Sequence, residues 1–144
     1  MIGIVNYGLG NLNSIMSIIK HVGGESRILH SPDDVDDISK FILPGVGAFD
    51  HGMQGLNNSG WTEKLHQLVL HENKTILGIC LGMQLMCNSS DEGKLSGLGW
   101  IDAHVTRFSI LDYSELRVPH MGWNTLHVKR GNDLLRQSED EQGQ

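Results

Sequence analysis

Apolar positions along this chain alternate between two spacings. Residues 2–7, IGIVNY, form a short β-branched run that ends in Gly8-Leu9-Gly10-Asn11, a strand entering a turn. Leu12, Ile15, Met16 and Ile19 then recur at three- and four-residue intervals, which is one apolar helix face, closed by Gly23-Gly24. Ser26 to His30 predicts a second strand. Ser31-Pro32-Asp33-Asp34 has the makeup of a helix start: serine caps, proline takes the first position and the acids complement the dipole. KFIL (40–43) predicts a third strand, broken by PGVGAFDHG. Trp61, Leu65, Leu68 and Val69 predict another amphipathic helix, with Ser59 as its cap. TILGI (75–79) is a fourth strand, apolar enough to be central and buried on both faces.

From Gly97 onward the texture changes. WIDAHVTRF (100–108) and WNTLHVK (123–129) alternate like strands that are wet on one face, with no clear helix between them. We read them as antiparallel additions to the sheet. Short strands alternating with helices give an α/β class, a mostly parallel sheet with helices on both faces. Residues 1–144 contain no repeat or low-complexity linker and are expected to form a single domain. The polar, acidic residues 137–144 are expected to fray.

Composition narrows the function classes. The 144 residues are 39% hydrophobic and 19% charged, an ordinary globular balance, although 18 glycines imply many tight turns. A net charge of −6 without a Lys/Arg cluster argues against nucleic acid or an anionic membrane surface. No basic segment precedes the first apolar run, and no apolar run is long enough to span a bilayer. Cys80 and Cys87 form neither a CxxC nor a disulfide framework, so a reduced, cytoplasmic setting is expected.

The chemistry concentrates at Gly78-Ile79-Cys80-Leu81-Gly82, between a β-like and a helix-like run. A nucleophile flanked by small residues at a strand-to-helix bend is a nucleophile elbow. The sharp turn exposes the thiol, and the glycines admit neighbouring backbone. The helix amides after it favour thiolate, and the Leu81 N–H points where an oxyanion would form. A short motif of this kind is equally compatible with Cys80 as a small buried apolar residue. Other candidates are weaker. Gly8-Leu9-Gly10 lacks the third glycine of a dinucleotide fingerprint, with Asn13 in its place, and the second strand ends in His30 rather than an acid. Gly45-Val46-Gly47 fails likewise at Asp50. The eight histidines are scattered, and His66 and His71 are poorly spaced for a metal on a helix. Cys87 reads as core, and the acids at 33, 34, 36 and 37 as a solvated helix face.

Gly78-Ile79-Cys80-Leu81-Gly82-Met83-Gln84 resembles the nucleophile motif of class I, triad-type glutamine amidotransferases, and Pro44-Gly45-Val46-Gly47 resembles their oxyanion strand. Asn6-Tyr7-Gly8-Leu9-Gly10-Asn11-Leu12, Asp91-Glu92-Gly93, Gly97-Leu98-Gly99 and Pro119-His120-Met121-Gly122-Trp123-Asn124 resemble more narrowly the glutaminase subunits of imidazole glycerol phosphate synthases. The resemblance covers residues 2 to about 136. It implies a flavodoxin-like fold and a cysteine-dependent glutaminase without cofactor or metal. Cys80 would be the nucleophile, and Leu81 N–H with an amide from Val46-Gly47 would hold the oxyanion. Gly45, Gly47 and Gln84 would bind glutamine. Ammonia would pass to a (β/α)8-barrel synthase partner in a heterodimer. That partner makes imidazole glycerol phosphate and aminoimidazole carboxamide ribotide in histidine biosynthesis. Pro119, His120, Met121, Gly122, Trp123 and Asn124 would lie at that interface.

The resemblance departs in one respect. The family's base and its orienting glutamate lie in an HPE-like motif, and residues 1–144 contain none. His104, His120 and His127 match no such motif, and the base role goes to none of them. The expectation is an incomplete domain that lacks the C-terminal strands and is inactive on its own. Three alternatives stay open: a paralogous ammonia-supplying subunit of a surface-sugar amidation pathway, a related cysteine hydrolase or chaperone on the same scaffold, and a partner-binding module without activity. The hydrolase reading is weakened because Asn6-Tyr7-Gly8 offers no carboxylate at the end of the first strand.

Overall fold

The computed structural model describes residues 1–108 and, beyond them, Gly122, Trp123, Thr125, His127 and Val128. The chain divides into two compact units, Met1–Arg107 and Phe108–Gln144. In the first, the predicted strands form as β1 (Ile2–Val5), β2 (Ser26–Leu29), β3 (Lys40–Leu43) and β4 (Thr75–Gly78). All pair in parallel, in the order β2-β1-β3-β4. Helix α1 (Leu12–His21) is capped by the Asn11 side chain, which accepts from Ser14 N, and ends on Lys20 and His21, where a helix favours positive charge. Helices α2 (Phe49–Asn58), α3 (Trp61–His66) and α4 (Leu81–Leu85) come next, with α3 running on through a wider π-type turn at Gln67–His71.

The inner strands β1 and β3 are covered on both faces, and the two-residue alternation divides their side chains. Val5, Phe41 and Leu43 join Phe49, Met53, Leu56, Trp61, Leu65, Leu81 and Leu85 in the larger core. Ile4 and Ile42 pack on the other side with Ile19, Leu12 and Ile15 of α1. The chain reverses its direction of growth between β1 and β3, the point where α/β sheets open a crevice at the carboxyl ends of their strands. From those ends emerge Asn6-Tyr7-Gly8 after β1, Pro44–Gly47 after β3 and Cys80 after β4.

The structure corrects several expectations. PGVGAFDHG does not merely break the chain, because α2 begins within it. Gly52 and Gly55 weaken the helical signal by about 1 kcal/mol each, yet their missing side chains let α2 approach Leu85 and Tyr7. Ser59 does not cap α3: it ends α2, its Oγ donating to Gly55 O at 2.6 Å, and Gly60 at φ 75 starts α3. The Ser31–Asp34 segment yields turns rather than a helix. Ser31 Oγ does accept from Asp33 N, but the Asp34 carboxylate accepts from the His30 and Ser31 amides and Asp37 turns left-handed at φ 64, which stops propagation.

Strand β4 is not central. Among the described residues it pairs only with β3, and Thr75 and Leu77 are exposed. The 100–108 segment does give a strand, β6 (Ile101–Val105), but it is not an antiparallel addition to the main sheet. It pairs in parallel with an unforeseen strand, β5 (Cys87–Ser90), in a separate two-stranded sheet. Residues 91–100 carry the chain back, with Gly97 N donating to Asn88 O and Leu98 N to Leu85 O, so the next strand starts from the same end. Of the expected strand at 123–129, Trp123, Thr125, His127 and Val128 lie in no strand, and the rest falls outside the described residues. No helix among the described residues is long and apolar enough to cross a membrane.

Candidate active site

Cys80 sits between β4 and α4 with φ 54 and ψ −118. A non-glycine residue in that region costs on the order of 1–3 kcal/mol, and such strain persists where a side chain must be presented in one direction. The thiol is exposed, whereas Cys87 is buried as expected, its Sγ 3.9 Å from Met83 O. The bend is tightly tied. Ile79 N donates to Leu43 O, Gly82 N to Ile79 O, and Met83 N to Cys80 O, each at 3.0 Å. Leu81, the first residue of α4, has an amide that no earlier helical turn can satisfy.

The flanking glycines admit backbone. A Cβ on Gly78 would meet Met83 Cα at 2.5 Å, and one on Gly82 would run into the Leu43 carbonyl. Across the elbow lies Pro44–Gly47. A Cβ on Gly45 would sit 2.7 Å from Gly82 N and 2.8 Å from Leu81 Cβ, so strand and elbow touch through atoms that only glycine leaves uncovered. Gly45 is buried, while Val46 and Gly47 are exposed and Gly47 adopts φ 96. Gln84 is half-buried on α4. The structure thus brings Gly45 against Leu81 and Gly82 at the start of α4, next to Cys80. Gly122 and Trp123 are exposed in the second unit, whereas Pro119, His120, Met121 and Asn124 lie outside the described residues.

Three features escaped the sequence. Tyr7 donates its hydroxyl to Pro44 O at 2.7 Å. His104 has both ring nitrogens engaged, Nδ1 with Ser89 Oγ and Nε2 with Asp91 Oδ1, each at 2.7 Å, which leaves no lone pair for a thiol. Asp50 accepts from Lys94 N and Leu95 N at 2.9–3.0 Å, pinning the 91–95 loop to α2. The amides of Leu95 and then Lys94 hold the Asp50 carboxyl below the usual carboxylate range. The His104 hydrogen bond, and after it the Arg107 amide, does the same for Asp91. Among the described residues no cluster of three metal-ligating side chains occurs.

These depressed carboxyls give a pH prediction. A folded-state pKa below the unfolded one adds stability that is complete above the ordinary carboxylate pKa of ~4. It is lost as pH falls below that value toward the depressed one. Asp50→Ala should therefore lower the urea midpoint at pH 7, with the gap to wild type closing as pH falls below the ordinary carboxylate range and through the depressed pKa. A gap independent of pH would show that the carboxylate does not act through its charge.

A model of the family described as "Glutamine amidotransferase class-I" matches residues 4–143. "Imidazole glycerol phosphate synthase subunit HisH 2" of Methanococcus maripaludis is 42% identical over 93% of this chain and 65% of its own length. The protein of the same name from Pseudomonas aeruginosa is 44% identical over 94% and 66%. "Imidazole glycerol phosphate synthase subunit HisH" of Bdellovibrio bacteriovorus is 46% identical over 94% and 67%. The chain thus spans about two thirds of the length of these curated relatives. A solved structure titled "Crystal structure of glutamine amidotransferase" superposes with a TM-score of 0.61 at 17% identity, covering 74% of this chain and 56% of that one, a likeness of fold.

Proposed function

The chain belongs to the class-I glutamine amidotransferase family, and from that premise we propose that it is the glutaminase subunit of an imidazole glycerol phosphate synthase. The observation that supports the reading is the strained Cys80 elbow, whose following residues Leu81 and Gly82 pack against Pro44 and Gly45. Cys80, as thiolate, attacks the side-chain carboxamide carbon of glutamine. The C=O electrons move to oxygen, and the Leu81 amide with an amide of the Val46-Gly47 stretch stabilises that oxyanion. Gly45, Gly47 and Gln84 hold the substrate. Collapse breaks the C–N bond, the leaving nitrogen takes up a proton to depart as ammonia, and water then releases glutamate from the thioester. Ammonia passes to a (β/α)8-barrel synthase partner. In this reading residues 1–144 belong to one amidotransferase domain, and the base role goes to none of His104, His120 and His127.

The test is the chain completed with the family's HPE-bearing C-terminal region, assembled with its barrel partner and supplied with amide-15N glutamine: label should appear in the imidazole product. Absence of label, or transfer instead to a sugar acceptor, would overturn the histidine-pathway reading. The interface is tested separately by Trp123→Ala. Trp123 is fully exposed, so its removal should leave the melting temperature unchanged. Loss of an interface aromatic at a hot spot costs more than ~1 kcal/mol, so the partner Kd should rise by roughly fivefold or more. An unchanged Kd would remove the 119–124 segment from the interface.

A further inference from the structure

We propose that Tyr7 is a positioning residue for glutamine hydrolysis, its hydroxyl anchoring the Pro44 carbonyl so that the amides of the adjoining strand face Cys80. This rests on the glutaminase reading and gives it a residue that the reading does not use. Tyr7 comes after β1 and is 5% exposed. Its hydroxyl reaches Pro44 O, 37 residues away in sequence, at 2.7 Å in a buried bond. The ring is seated against α2, where a Cβ on Gly55 would lie 3.0 Å from Tyr7 Cδ2. On its other side a Cβ on Gly45 would meet both Tyr7 Oη and Gly82 N at 2.7 Å. Tyrosine hydroxyl, Gly45 and the start of α4 therefore form one contact layer beside the elbow.

The anchor acts on the backbone immediately after Pro44. The Pro44 carbonyl and the Gly45 N–H share one rigid peptide plane, so holding the oxygen fixes the direction of that amide. Beyond it, Val46 and Gly47 are exposed and two of the three residues are glycine, so the backbone there is intrinsically permissive. Without a fixed starting plane, the strand's amides would spread over orientations that do not meet an oxyanion, and preorganisation would be lost. Burial pushes the Tyr7 phenol pKa well up, and a negative charge on Cys80 pushes it in the same direction. The hydroxyl thus keeps its proton, and remains a donor, when the thiol ionises.

The experiment is Tyr7→Phe in the same completed chain with its partner, which deletes the hydroxyl and keeps the ring against Gly55. Losing one oxyanion donor costs about 10²–10³ in kcat, so misplacing it should lower kcat for glutamine roughly 10- to 100-fold. KM should stay within about twofold. Alkylation of Cys80 by iodoacetamide, a displacement that forms no oxyanion, should keep its wild-type rate. Ile19→Val, a core truncation on the opposite face of the sheet, should lower the melting temperature without touching kcat. An unchanged kcat in Tyr7→Phe overturns the proposal. So does a parallel loss of kcat, KM and alkylation rate, a variant that fails to fold, or an equal kcat loss in Ile19→Val, since each makes Tyr7 merely structural. A wild-type complex that hydrolyses no glutamine overturns the glutaminase reading itself, and this role with it.

Discussion

Cys80→Ala in a chain completed with the family's HPE-bearing C-terminal region, assembled with the proposed barrel partner, is expected to stop glutamine-dependent synthesis while synthesis fed with free ammonia continues at the wild-type rate. The loss should be at least ~10⁴-fold, because a nucleophile and its partners act as a unit and the oxyanion site alone cannot form the thioester. In the proposed division of labour the ammonia-fed reaction needs no thiol, since it belongs to the partner's site. Cys87→Ala serves as the control: Cys87 is buried and faces Met83 O, so its loss should reduce stability more than turnover. The elbow adds a second readout. Cys80 holds φ 54, a conformation that glycine adopts freely and alanine does not. Cys80→Gly should therefore melt higher than Cys80→Ala even though both are inactive, as expected where strain is maintained for function. Glutamine-dependent turnover surviving in either variant would remove Cys80 from the chemistry. Loss of the ammonia-fed reaction in an assembled complex would refute the division of labour.

How much of the molecule is legible in its sequence depends on the range of the interactions involved. Strands β1, β3 and β4 and helix α1 are set by local alternation or periodicity, and IGIV, KFIL, TILG and LNSIMSIIKH appear where the pattern puts them. The elbow is equally local, a small-residue frame around one thiol. Helix α2 is hidden because Gly52 and Gly55, which weaken a helix, are required by its closeness to Leu85 and Tyr7. The pairing of β5 with β6 depends on loop bonds such as Leu98 N to Leu85 O, which no window of residues reveals. The Tyr7–Pro44 and Asp50–Lys94 bonds span 37 and 44 residues. A tyrosine after a strand and an acid near a glycine-rich turn carry no local mark of such partners. The two-sided burial expected of β4 belongs instead to β1 and β3, since strand order is a property of the whole sheet.

Gly82→Ala tests the same elbow from below and should damage both fold and catalysis. In place of its hydrogen, a methyl group would enter the Leu43 carbonyl and lie 3.1 Å from the Pro44 carbonyl carbon. Both obstacles are backbone, so no side chain can rotate away, and either β3 or α4 must move. Overpacking of this kind typically costs about 1–3 kcal/mol, equivalent to several degrees of melting temperature in a domain of this size. The direction of the movement matters more. Leu43 O also accepts from Ile79 N, and the residue after Leu43 begins Pro44–Gly47. Displacing that junction breaks the β3–β4 tie beside Cys80 and shifts the proposed oxyanion strand relative to the thiol. A misaligned donor is worth about 10²–10³ in kcat, so kcat should fall by that order even at temperatures where the variant is fully folded. Val69→Ala provides the comparison, as a truncation after α3 that should cost stability without altering kcat. A Gly82→Ala protein with wild-type melting and turnover would mean that the close approach of α4 to the end of β3 has no part in building the site.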